Sequence, residues 1–430
     1  MTDKEIFERV RELLKANMEE GVAEGDISFH FTRPSPSRYP YQFFWDTCFH
    51  VFIFSALGDH DMAKKHVESL FALQSEDGFV GHMIYWDRLK PGRMTDFFQS
   101  LPRFQNFYQS HMSALIQPPL IAQAVERIFK DSGDKEFLRK MLPKLKKYYH
   151  WLATHRDFQG DKLLTIISPF ESGMDWKPSY DIPLKYGPKL ANSKLFRKVV
   201  SVDLRNFIHN YDLKKIYKKG YFLVKDVAVN TIYAQNLRAM ATLCEAVGED
   251  GAYYQDLADK VTASMMKLMY NKEDAAFYDC YGKDNKQIKV LTPTIFYPVV
   301  LNTIPSEITE EVMDRHFFNG NEFKARYPIP SVAKNESSFD PLESIFIWRG
   351  PTWITNNWFL HKFFIDRGYN DEATNLVNSI KKLIRKSGFR EYYNPFTGEG
   401  YGAHNFTWAG LVCDMMEMEK QNPNTKRTQS

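Results

Sequence analysis

Residues 229–247 read VNTIYAQNLRAMATLCEAV, residues 248–250 read GED, and residues 253–270 read YYQDLADKVTASMMKLMY. The first run is apolar almost all round, the second breaks the chain, and the third is amphipathic. A helix that is apolar on every face must be buried, whereas a single apolar stripe lies between core and solvent. The same unit recurs. An apolar run at 44–57 is followed by Gly58-Asp-His60 and an amphipathic run at 61–73. Residues 112–130 are followed by Gly133-Asp-Lys135 and 136–155, and residues 353–366 by Gly368-Tyr-Asn370 and 371–385. Two weaker pairs, 292–301 with 307–318 and 406–418 with the N-terminal segment 3–18, complete the set. Six buried helices alternating with six amphipathic ones predict an all-α (α/α)6 barrel, an inner helical ring wrapped by an outer one. The units share only a turn signature, so the repetition is one of architecture and not of sequence.

The long connections, 74–111, 156–228, 319–351 and 386–404, each lead from an outer helix to the next inner one. They must therefore open at one end of the barrel, and connections of this length within a domain are usually functional. Residues 21–38 read as a polar loop with a Pro-Ser-Pro turn. The expected organisation is one barrel over 1–430, with a Lys-, Tyr- and Asn-rich block at about 180–228 that serves as a lid, a small subdomain or a solvated insertion.

Composition narrows the function classes. The chain has 430 residues, 43% of them hydrophobic and 25% charged, enough for a large core. A net charge of +3 is too small to favour nucleic acid as a partner. Self-association into a homo-oligomer is compatible with this composition and not dictated by it. The N-terminus opens an amphipathic helix and not a signal sequence, and no apolar run is long enough to span a bilayer, so no membrane partner is expected. Cys48, Cys244, Cys280 and Cys413 are far apart and read as buried thiols, which suits a cytoplasmic address. Aromatic residues reach 15%, and many tryptophans lie near Gly, Pro or carboxylates, a distribution that favours sugar-stacking surfaces, with core packing the default role of an aromatic residue.

Two connections carry carboxylates among aromatic and turn residues. Residues 168–179, SPFESGMDWKPS, hold Glu171 and Asp175 beside Trp176. Residues 388–402, GFREYYNPFTGEGYG, hold Glu391 and Glu399. A carboxylic acid against an indole has its pKa raised by desolvation and can donate a proton near neutrality. Trp45-Asp46 enters the first inner helix; Asp46 either caps it or accepts hydrogen bonds from sugar hydroxyls beside the indole. His82 lies in a Gly-rich turn, Gln117 precedes Pro118-Pro119, and Arg349 and Trp353 stand at the mouth of another inner helix. Tyr39, Trp176 and Trp408 join Trp45 and Trp353 as aromatic residues expected to face a substrate. Neither a metal nor a cofactor is required, since no His or Asp cluster has convincing ligand spacing.

Five motifs in order, Trp45-Asp-Thr-Cys-Phe-His50, Gln117-Pro-Pro119, Glu171-Ser-Gly-Met-Asp175, Trp348-Arg-Gly-Pro-Thr-Trp353 and Glu391-Tyr-Tyr-Asn-Pro-Phe-Thr-Gly398, resemble glycoside hydrolase family 63. The nearest look is to its short bacterial and archaeal members and to the mannosylglycerate and glucosylglycerate hydrolases. The resemblance runs from about Tyr39 to Trp408. It implies an (α/α)6 barrel and inverting hydrolysis of a small α-glycoside, with Asp175 as general acid and Glu391 as general base. It also implies that Asp46, Gln117 and Arg349 line the sugar site. One departure is that Phe43 follows Gln42 where such relatives read Gln-Trp-x-Trp-Asp. An inverting pair should stand roughly 6.5–9.5 Å apart to admit a water. The rival readings are a sugar epimerase working through His82 and His404, a polysaccharide lyase, and a non-catalytic carbohydrate-binding protein. A small acidic aglycone would need a cation, and 180–228 offers Lys185, Lys189, Arg197, Arg205, Lys214 and Lys215.

Overall fold

The computed structural model of the chain describes residues 1–23, 25–86, 112–187, 192–344 and 346–421. The inner ring begins with α2 (Phe44–Ala56) and continues through α4 (Ile121–Ser132), α8 (Val227–Ala246), a 3-10 segment (Pro293–Val300), α11 (Ile354–Arg367) and α13 (Leu411–Gln421). Each of these packs on the next, and α13 packs back on α2, which closes the ring. Outside it lie α1 (Asp3–Asn17), α3 (His60–Ala72), α5 (Lys135–His155), α9 (Ala252–Leu268), α10 (Ser306–Val312) and α12 (Asn370–Ser387). Every residue from Phe44 to Ser55 is buried, whereas α12 buries only Ala373, Leu376, Val377, Ile380, Leu383 and Ile384, one stripe at helical spacing. That contrast is the two-ring pattern seen in the sequence. No described helix is long and apolar enough to cross a membrane.

The Gly-Asp turn signature has a direct cause. Gly133 ends α4 with φ +67°, a left-handed conformation that costs glycine nothing, and the next residue, Asp134, accepts from the Phe137 N–H at 2.9 Å to start α5. Asp59 caps α3 in the same way through the Met62 N–H.

Four segments depart from expectation. Residues 21–38 are not simply a loop: 18–23 and 27–32 pair as an antiparallel hairpin, with Phe29 and Phe31 buried against the barrel. The third apolar run is helical only from Ile121, because Pro118-Pro119 holds the preceding residues extended. The run at 292–301 is a 3-10 segment, since Pro298 removes a donor inside it. The connection at 386–404 carries a second hairpin, Arg390–Tyr393 with Gly400–His404. The block 180–228 is partly helical, with α6 (Asn192–Ile208) and α7 (Leu213–Lys219). Of the connection 74–111, residues 87–111 lie outside the described part, as does Lys189.

Candidate active site

Residues at or just before the N-terminal ends of α2, α4, α11 and α13 line one cavity, and the connections anchor its two principal carboxylates differently. Residues 168–180 are clamped at both ends by buried charge. Glu171 accepts from Arg156 through both oxygens (2.8 and 2.5 Å), from the Ile116 N–H at 3.0 Å and from the Ile167 N–H at 2.7 Å. It is a strut, as its pairing with Arg156 makes plain, and it ties the loop to the extended stretch that carries Gln117. At the other end Lys177 is buried between Asp226 and Asp279, Ser179 donates to Asp279 at 2.6 Å, and Tyr180 donates to Asp226 at 2.6 Å. Asp226 also caps α8 through the Val229 N–H. Asp175 sits between these clamps. Gly173 allows the approach: its φ is +68°, and a Cβ there would lie 2.3 Å from the Trp45 ring.

Glu391 stands on the C-terminal hairpin where the register shifts between Arg390 and Tyr392. Such an irregularity re-aims a side chain. The carboxylate accepts from the Tyr39 hydroxyl at 2.7 Å, from Arg38 at 2.8 Å and from the Ala403 N–H at 2.7 Å. Three donors suit an ionised group. Gly402 is required beside it, since a Cβ at its φ of +66° would meet Glu391 Oε2 at 2.5 Å.

Asp175 and Glu391 line the same cavity of about 350 Å³, with Asp46 as a third carboxyl. Asp175 keeps part of its surface open to the cavity, yet packed protein surrounds it elsewhere. That burial pushes its carboxyl up to about 7, and the Glu391 charge adds to the shift. Asp46 is also pushed up to about 7 by burial, against the lowering effect of a 2.6 Å hydrogen bond from the Trp408 indole. It does not cap α2; Phe43 holds the cap position, with no side-chain bond. Gln117 accepts from the Trp45 N–H at 3.0 Å, which leaves its amide nitrogen for the cavity. His82 is bonded to Ser113 through Nδ1, and burial lowers its pKa to about 3, so it faces the cavity as a neutral ring. His404 is not among the lining residues.

Aromatic rings form the walls. Trp348 and Trp353 stack with centroids 3.9 Å apart, and Trp353 is fixed by donation to the Ile347 carbonyl at 2.8 Å. Trp45 meets Trp408 edge-on at 5.1 Å. Trp176 packs against Phe346 and, at 6.1 Å, Phe196 of α6. Of the residues singled out in the sequence, Tyr39, Trp45, Asp46, His82, Gln117, Asp175, Trp176, Trp353, Glu391 and Trp408 line the cavity together. Arg349 does not line it. Its guanidinium is held by Asp181 in a two-pronged pair at 2.9 and 2.5 Å. Glu399 is not among the described lining residues; its carboxylate accepts from the Tyr401 hydroxyl at 3.3 Å.

Sequence reasoning missed Arg38, Phe43, Phe170, Phe196, Ile347 and Phe406 as lining residues. Arg38 was legible in principle, being the neighbour of Tyr39. Among the described residues the cation lining the cavity is Arg38, and none of the described basic residues expected from 180–228 reaches the lining. Arg205 lies over Tyr221 and Lys215 pairs with Asp212.

A family model described as the mannosylglycerate hydrolase MGH1-like glycoside hydrolase domain matches residues 39–409. A mannosylglycerate hydrolase of Thermus thermophilus is 28% identical over 408 residues, covering 89% of this chain and 95% of that protein. A glucosylglycerate hydrolase of Mycolicibacterium hassiacum is 24% identical, covering 90% and 94%. The crystal structure of a family 63 mannosylglycerate hydrolase from Thermus thermophilus with Tris and D-glycerate superposes with a TM-score of 0.82. It is 26% identical and covers 96% of this chain and all of that one.

Proposed function

The chain belongs to the mannosylglycerate hydrolase MGH1-like glycoside hydrolases of family 63 and is a glycosidase; from that premise we propose that it hydrolyses a small α-linked glucoside or mannoside, such as a glycosyl-glycerate, with inversion. Asp175, protonated below its raised pKa of about 7, protonates the glycosidic oxygen as the bond to the anomeric carbon breaks. Glu391 takes a proton from a water that attacks the opposite face of the ring. Asp46 and the Gln117 amide hold sugar hydroxyls, and Trp45, Trp353 and Trp408 wall the ring. The whole chain, 1–430, acts as one catalytic domain, and 180–228 forms one side of its pocket. A cytoplasmic setting suits its four free, buried cysteines.

The observation that carries this reading is a pair of carboxyl groups in one aromatic cavity with opposite surroundings. Asp175 is desolvated and pushed up to about 7, whereas Glu391 is matched by three donors. Environments that push two titratable groups apart assign the acid and the base. An epimerase would instead need two histidines at the reacting carbon, and His82 faces the cavity without His404.

A cavity of about 350 Å³ holds one sugar ring and a small substituent, not the middle of a polymer. The test is a hydrolysis screen of α-mannosyl- and α-glucosyl-glycerate, their glycerol counterparts, short disaccharides and long α-glucans. Turnover should be confined to the small glycosides. Preference for glycerate over glycerol would identify an anionic aglycone, and efficient attack within long glucans would refute the closed-pocket reading.

A further inference from the structure

Helix α6 reaches the acid loop through three side chains. Phe196 lines the cavity and stacks on Trp176, the residue after Asp175. Two turns further on, Asp203 is only 3% exposed and has the Ser168 hydroxyl as a polar neighbour that favours its charged form. Asn206, fully buried, donates from Nδ2 to the Ile167 carbonyl at 2.9 Å. Residues three apart share one helix face. Asn206 therefore grips Ile167 by a hydrogen bond, and Asp203, on the same face, adjoins Ser168, two consecutive residues at the root of the loop where the Ile167 N–H is taken by Glu171.

Asp203 has no role in the hydrolytic scheme above, and its other oxygen, Oδ1, has no hydrogen-bond partner among the described residues. A buried carboxylate left in that state would be costly, whereas a neutral carboxylic acid is tolerated far better. Burial pushes the group up to about 8; the Ser168 hydroxyl works against this, and the charges of Glu171 and Asp175 add to it. At pH 7 it is therefore mostly neutral, with the shape and hydrogen-bonding capacity of an amide.

We propose that Asp203 and Asn206 are positioning residues for the hydrolysis, holding the root of the acid loop through Ser168 and Ile167 so that Asp175 stands at the glycosidic oxygen. This rests on the reading of Asp175 as the acid. Its signature is selective. A glycerate or glycerol aglycone would be a poor leaving group as an alkoxide, so it takes the proton from Asp175 as the C–O bond breaks and departs as the alcohol, leaving Asp175 ionised. In the matching α-glycosyl fluoride, the C–F bond breaks to release fluoride as an anion, water forms the new C–O bond, and its proton passes to Glu391. That reaction demands far less of the acid.

The experiment measures kcat and KM for both substrates with Asp203→Ala, Asp203→Asn and Asn206→Ala. A displacement of the acid by about 1 Å is worth roughly 10²-fold. Asp203→Ala should lose kcat on that scale with the glycerate, keep its KM, and lose only a few-fold with the fluoride. Asp203→Asn should restore most of the loss, because amide and neutral carboxyl are near-isosteric. Equal losses on both substrates, or an Asn variant no better than Ala, would overturn the proposal. Should Asp203→Ala fail to fold, Asn206→Ala, which removes the 2.9 Å bond to the Ile167 carbonyl, carries the same expectation. Asp175→Asn, run on the same pair, keeps the two readings apart. A selective loss there with an unselective loss at Asp203 overturns only the positioning role, while an unselective loss at Asp175 retires the acid assignment itself.

Discussion

Asp175→Asn should fold, bind substrate and lose at least ~10²-fold in kcat, the usual contribution of a positioned general acid. The amide fills the space of the carboxyl between the two clamps of the loop, so neither Glu171 with Arg156 nor Lys177 with Asp226 and Asp279 is disturbed. What is lost is the transferable proton. The pH profile follows from the same group. Asp175 is raised to about 7, so the active, protonated form predominates below that pH and is lost as pH rises through it. Wild-type kcat should therefore fall on the alkaline side. Residual turnover in Asp175→Asn should lack the part of that limb owed to Asp175, leaving only what Asp46 contributes from its own value of about 7. Turnover against pH for both proteins, with circular dichroism to check folding, tests this. Near wild-type turnover in the variant would place the acid elsewhere.

Glu391→Gln should cost at least as much, on the order of 10²–10⁴-fold in kcat. Here the surroundings are all donors: Tyr39, Arg38 and the Ala403 N–H. An amide must turn its NH2 toward one of them, so one bond is lost along with the charge that Arg38 matches. Some loss of thermal stability should accompany the loss of activity. Because Arg38 is a third exposed, solvent can take over part of its pairing, and the variant should still fold. Thermal melting and single-turnover rates separate the two effects. A Gln variant with ordinary turnover would leave water activation to another group.

The barrel was legible because its signals are local and physical. The all-apolar stretch of α2 and the single stripe of α12 differ in the sequence as they do in burial, and the Gly-Asp turns mark helix ends for stated backbone reasons. The hairpin at Arg390–Tyr393 was not legible as strands, because the Asn394-to-Glu399 turn and the two tyrosines read equally well as a loop. The site was legible where a motif puts a carboxylate beside an aromatic residue. It was not legible where a partner comes from far along the chain. Nothing near Asp46 announces Trp408, and nothing in Trp348-Arg349 announces Asp181, which takes the guanidinium that was expected at the sugar. The basic residues of 180–228 suggest an anion site, yet what the described residues of the block bring to the cavity is Phe196 and, behind the acid loop, a buried carboxyl. Lysines on a helix surface are solvated by default, and only packing reveals which side chain of the block faces inward.

The proposed reaction is a single displacement by water, with Asp175 on one side of the ring and Glu391 on the other. Proton NMR of the sugar released in the first turnovers of an α-linked substrate, before mutarotation, reads that directly. The β-anomer should appear first, because one displacement inverts the anomeric centre. An initial α-anomer would mean two displacements through a covalent glycosyl-enzyme intermediate, and would contradict the roles given to both carboxylates.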